Sequence, residues 1–162
     1  SELYKKVYAF NLQTQTWSEE APLPYALSAA SGMATGNYTL LIFSGDRGET
    51  FHQTEKLIAA IKEEADQAKK EELNKQKASL QAGHPGFSKE VLAYNTVTRQ
   101  WQVVSAIPFD APVTTSAVCW EGVIYIASGE IKAGVRTPQV LKGVIKKLKY
   151  SVKGKRDVFN VE

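Results

Sequence analysis

Two stretches of this chain repeat each other, and a repeat constrains architecture more than any other sequence feature. Val7–Asp46 lies on Val91–Glu130 at a constant offset of 84 residues, without a gap. Nine of the forty positions are identical. They fall on structurally demanding residue types: Asn11 on Asn95, Trp17 on Trp101, Pro24 on Pro108, and Ser44-Gly45 on Ser128-Gly129.

Each unit reads as four short strands. Val7–Phe10 alternates apolar and small residues, Asn11–Thr16 is a polar turn, and Trp17 opens a second strand. The segments around Pro24 and Pro108 are connections, because proline cannot donate to a central ladder. Ser28–Thr35 and Thr114–Cys119 predict inner strands. The turns Gly36-Asn37 and Glu121-Gly122 lead into buried strands at Thr39–Phe43 and Val123–Ala127. Four strands per unit at this length predict a mainly β fold, a partial kelch-type β-propeller of about two to three blades in a ring of six.

A partial third copy lies 49 residues on, with Val91-Leu92 on Val140-Leu141 and Trp101 on Tyr150. Its outer strand is expected to be irregular or short, since Val144 stands where the turn asparagine belongs. The wider first interval reflects an insertion within a blade, residues 47–90. It carries one helical signal from about Thr54 to Leu80, rich in Ala, Glu, Lys and Gln and free of Gly and Pro. Its charges balance, six acidic against six basic between Glu55 and Lys77. Either a solvated arm or a lid over one mouth of the propeller fits that composition.

The net charge of +3 belongs to the C-terminus. Seven basic and two acidic residues lie in the basic segment 142–162, while the rest carries thirteen basic and fifteen acidic. A mildly acidic body is no nucleic-acid surface, and the tail is a solvated end or a contact to phosphate or anionic lipid, the last of which would bring it near a membrane. No stretch approaches the ~20 apolar residues of a membrane helix. A single cysteine, Cys119, excludes an internal disulfide and thiolate clusters. It is expected to be buried and inert in its strand. His52 and His84 are too isolated for a metal site and read as loop residues, and no metal or organic cofactor is called for. Asp46-Arg47-Gly48-Glu49-Thr50 lacks the spacing of a phosphate loop.

The segment Ser128–Thr137 differs from all of these. A buried strand ends at Gly129, and Glu130, Lys132 and Arg136 follow within seven positions. Gly134 permits a turn that returns Arg136 towards Glu130. A glutamate beside two cations stays ionised, and an arginine suits bidentate capture of a carboxylate. A surface loop with a solvated ion pair is the alternative.

These residues resemble the N-acetylneuraminate epimerase family, the sialic acid mutarotases. That family's run Gly-Glu-x-Lys-x-Gly-x-Arg-Thr matches Gly129–Thr137 at every fixed position, and the helical insertion one blade earlier is also similar. The resemblance spans roughly residues 7–145, and the order of blades resembles the cyclically permuted members. It implies a cofactor-free isomerase acting on a sugar acid, with Glu130 as catalytic proton acceptor and Arg136 as holder of the substrate carboxylate. Lys132 either assists at the ring oxygen or faces solvent. The resemblance also implies a periplasmic location. A kelch module that binds a protein or a sialic acid without turnover is the competing reading. Because blades bury their faces only against neighbours, the remaining blades are expected from the same longer protein or from other chains.

Overall fold

The computed structural model describes residues 2–147 and 157–161. Strands β1 (Val7–Asn11) and β2 (Thr16–Glu20) form an antiparallel hairpin. Strands β3 (Ser31–Thr35), β4 (Thr39–Phe43), β5 (Glu90–Asn95) and β6 (Gln100–Ala106) form an antiparallel sheet in chain order. Helices α1 (Glu49–Glu63) and α2 (Gln67–Ala82) are inserted between β4 and β5. The second sheet runs β7 (Ala117–Trp120), β8 (Val123–Ala127), β11 (Val140–Lys147), β12 (Asp157–Val161), again antiparallel. A small hairpin of β9 (Glu130–Lys132) and β10 (Val135–Arg136) stands between β8 and β11. The chain therefore holds the outer half of one blade and two four-stranded blades, a partial kelch-type propeller.

The repeat is legible atom by atom. Asn11 Oδ1 accepts from the amides of Gln13 (2.9 Å) and Thr14 (3.0 Å). Asn95 Oδ1 accepts from Val97 (2.9 Å) and Thr98 (3.0 Å). An asparagine closes the turn in both units because its short side chain can mimic a backbone acceptor.

The offset of 84 is not constant, however. Gly32 pairs with Ile42, but Ala117, not Ser116, pairs with Ile126. The second unit gains one residue before β7 and loses it in the next turn. Gly36, Asn37 and Tyr38 connect β3 to β4, whereas only Glu121 and Gly122 connect β7 to β8. Both of those have positive φ (51° and 77°), as the two-residue turn matching strand twist requires. A change of turn type thus restores the register that the extra residue would have broken.

Two further expectations need correction. In the third copy the strand does not end at Val144: β11 runs eight residues, pairing Val140 with Ala127 and Leu141 with Ile126, and itself carries β12. Val144 in place of an asparagine does not end the strand; it lets the strand continue. Tyr150 and the rest of residues 148–156 of the basic tail lie outside the described residues. The insertion is likewise not one helix. Glu64 is extended (φ −75°, ψ 125°), and Asp66 caps α2 by accepting from the Lys69 amide at 2.9 Å. Helix propensity is continuous there, but an aspartate that satisfies an orphan N–H competes with helix interior geometry. The helices pack on each other, and neither contains a buried residue.

The core lies between the two blades. Leu41 and Phe43 on β4 and Val91 on β5 face Ile124 and Ile126 on β8 and Leu141 on β11. Ile107 and Ala111, from the connection between the sheets, complete the layer. The outward faces are open: Val118, Trp120 and Val140 on one side, and Tyr8, Phe10 and Trp17 on the other, are all exposed. Cys119 is exposed as well, not buried. It stands on the edge strand β7, three residues before the turn glycine Gly122.

Candidate functional site

At the end of the second strand of each blade the backbone makes the same kink. Ser44 and Gly45 have φ of 63° and 114°; Ser128 and Gly129 have 59° and 111°. Gly129 is dictated by space as well as by φ. A Cβ there would lie 2.8 Å from both Pro112 Cβ and the Val113 oxygen. That close approach lets Glu130 bond Val113 in both directions, N to O at 3.0 Å and O to N at 2.8 Å. Glu130 is thereby fixed at the mouth where the second and third strands of both blades are connected.

The hairpin beyond it folds as Gly134 allows. With φ of 73°, Gly134 turns β10 back so that Val135 pairs with Lys132 and Arg136 with Glu130, across a bulge. The Gly134 amide donates to Glu130 Oε1 at 2.7 Å. Among the described residues Oε2 accepts no hydrogen bond, so one carboxylate oxygen positions the other. The base is tied by Thr137 N to Gly129 O (2.9 Å) and Ser128 N to Gln139 O (2.8 Å). Glu130 and Lys132 are half-buried, and Arg136 is exposed. Arg136 stands opposite Glu130 in the ladder, yet among the described residues neither cation forms an ion pair with it. The three predicted residues thus share one hairpin, and among the described residues neither cation is in an ion pair.

Sequence reasoning missed the neighbouring cluster. Asp46 repeats the position of Glu130: it pairs with Ser28 in both directions, and its Oδ1 accepts from Gly48 N at 2.8 Å. The alignment of Asp46 with Glu130 was the available signal. Next to it, Arg47 Nη2 lies 2.7 Å from Glu90 Oε2, and the guanidinium sits 3.8 Å over the Tyr25 ring. Tyr25 donates its hydroxyl to the same Glu90 oxygen, and burial, followed by that bond, pushes its phenol up. Asp46, Arg47 and Glu90 border a cleft of about 400 Å³ at the root of the helical insertion. His84 forms part of its wall, is buried, and accepts the Gly86 amide on Nδ1 at 3.0 Å.

Fold and hairpin together define a kelch-type β-propeller segment with a carboxylate and two cations at one mouth. The chain belongs to the N-acetylneuraminate epimerase family, whose model matches residues 1–161. It is 29% identical to the N-acetylneuraminate epimerase of Vibrio vulnificus over 85% of this chain and 36% of that protein. It is 27% identical to the N-acetylneuraminate epimerase of Haemophilus influenzae, over 94% of this chain and 39% of the relative. A Kelch domain-containing protein of Vibrio cholerae is 25% identical over 89% of this chain and 41% of its own length. The solved structure of YjhT superposes with a TM-score of 0.71 at 16% identity, covering 98% of this chain and 43% of that one. The chain therefore spans well under half the length of these relatives.

Proposed function

We propose that the protein, with its propeller completed by further blades, accelerates conversion of the α anomer of N-acetylneuraminate to the β anomer. The observation that carries this reading is Glu130. The Gly129 kink fixes its backbone, the Gly134 amide holds one carboxylate oxygen, and Arg136 stands opposite it. Glu130 Oε2 takes the proton of the anomeric hydroxyl, the bond from the anomeric carbon to the ring oxygen breaks with its electron pair passing to that oxygen, and the oxygen takes a proton from solvent, both transfers reversing on closure. The ketone then recloses from its other face. Arg136 fixes the sugar carboxylate and Lys132 adds a second contact to the anion, which aligns the hydroxyl with Glu130.

The exposed apolar faces support blades supplied by the rest of a longer protein or by other chains. A periplasmic location, with the basic tail near a membrane, fits the family resemblance. The test is Glu130→Gln in the complete assembly, with anomer conversion followed by NMR on freshly released sugar. The expected loss is ~10²–10⁴-fold, the range of positioned proton transfer. An unmodified protein that leaves the spontaneous rate unchanged would overturn the reading.

A further inference from the structure

The cleft at the root of the helical insertion lies on the same mouth as Glu130. Both the insertion and the β9–β10 hairpin connect the second strand of a blade to its third, so both emerge from one end of the sheets. They also touch: Gly86, which lines the cleft with φ of 94°, packs so that a Cβ would sit 3.5 Å from the Ile131 oxygen. Ile131 is the residue after Glu130. The wall of the cleft thus packs beside the hairpin of the proposed reaction centre, and the cleft is large enough for part of a monosaccharide, pockets for small ligands starting near ~300 Å³.

Its lining narrows the ligand chemistry. Arg47 and Lys89 supply donors, Asp46, Glu49 and Glu90 supply acceptors, and Thr50 and Ser88 supply hydroxyls that do both. Three carboxylates disfavour a simple anion, and an arginine and a lysine disfavour a simple cation. Vicinal hydroxyls, each donating and accepting, need both kinds of partner. Arg47 is already oriented, held by Glu90 and by the Tyr25 ring, so a ligand meets a preformed wall.

We propose that this cleft is the subsite for the trihydroxypropyl side chain of the sugar acid, the end of the molecule remote from the carboxylate. The assignment rests on the epimerase reading of Glu130 and Arg136. It makes residues of the inserted segment determinants of substrate length.

The test compares N-acetylneuraminate with its analogue shortened by two carbons of the side chain, on the complete assembly. Unmodified protein is expected to accelerate anomer exchange of both, with KM for the shortened sugar raised about fivefold, the size of one or two lost hydrogen bonds. Ser88→Ala, and independently Thr50→Val, should raise KM for the full sugar and leave KM for the shortened one unchanged. Equal KM values for the two sugars, with acceleration intact, would overturn the subsite and leave the epimerase reading standing. So would a Ser88→Ala effect that disappears only when a hydroxyl replaces the acetamido group, which would put that group in the cleft. No acceleration of either sugar removes the epimerase reading and the subsite with it.

Discussion

Arg99 grips Glu20 with two nitrogens, Nε to Oε2 at 2.9 Å and Nη2 to Oε1 at 2.6 Å, and so ties the first hairpin to the first full blade. Tyr94 adds its hydroxyl to Oε2 at 2.7 Å. Arg99 reaches Glu20 from a left-handed position, φ 56°, in the turn that Asn95 closes. The hydrogen bonds from Arg99, then from Tyr94, hold the Glu20 carboxyl down from its ordinary 4.5 to about 2. The native state therefore binds fewer protons at this site than the unfolded chain. The contribution of this group is fully present above pH 4.5 and is lost as pH falls from there through about 2. Urea unfolding between pH 2 and 7 should show this decline, and Glu20→Gln should flatten it in that window. An unchanged pH profile in the variant would count against the clasp.

Gly129 and Gly134 bracket the candidate site and should respond differently to alanine. Both have positive φ, which costs an L-residue ~1–2 kcal/mol. At Gly134 a Cβ meets nothing within 4 Å, so that strain is the whole expected cost. At Gly129 the Cβ would also strike Pro112 and the Val113 oxygen at 2.8 Å. Gly129→Ala should therefore destabilise by several kcal/mol, ~3 or more once overpacking is added. Chemical denaturation of the two variants side by side checks the difference. Similar losses would mean that the Val113 contact does not hold the kink.

The contrast between these glycines shows what was readable from the residues alone. Thr39–Phe43 and Val123–Ala127 announce themselves because alternation, turn chemistry and apolar runs agree locally. The Ser-Gly pairs were visible through the repeat, and with them Glu130. Asp66 was not readable as a break, because its capping bond outweighs a continuous helix signal on either side. The exposure of Cys119 follows from the edge position of β7, which no local pattern encodes. The cleft was hidden for a related reason: Tyr25, Arg47 and Glu90 come from three distant segments that only the tertiary fold unites.

Among the described residues Ser44 Oγ is buried and has no hydrogen-bond partner, although the equivalent Ser128 is exposed. A desolvated hydroxyl that bonds nothing costs ~1–3 kcal/mol. Ser44→Ala keeps the Cβ and the backbone geometry while removing that cost. The variant should be more stable by about 1 kcal/mol in chemical denaturation. A loss of stability would reveal a partner for the hydroxyl, such as a bound water.

Trp101 and Trp17 are repeat equivalents in different surroundings. The Trp101 indole donates to the Ala21 oxygen at 2.8 Å and its ring lies 4.8 Å from that of Tyr94. Trp17 stacks on Phe10 at 5.0 Å and is 69% exposed. Apolar faces of this size draw partners. The isolated 17.9 kDa chain should therefore self-associate in sedimentation experiments, with Trp17 shielded from quencher only in the complete propeller. A compact, stable monomer would contradict the requirement for further blades.

Arg136 offers the sharpest separation of binding from chemistry. It is exposed and registered opposite Glu130, free to meet an anion. Lysine keeps the charge but presents one ammonium where arginine presents a planar fork. Arg136→Lys should therefore lose the bidentate contact while preserving attraction. If the carboxylate is held equally in the ground and transition states, KM rises about tenfold and kcat stays near its original value. If the fork aligns the anomeric hydroxyl with Glu130 Oε2, kcat falls as well, because misplacement of the reacting group acts on the barrier. Steady-state anomer exchange in Arg136→Lys, set beside Glu130→Gln, distinguishes the two. The opposite register of the two residues predicts the second outcome. An unchanged KM and kcat would remove Arg136 from the site.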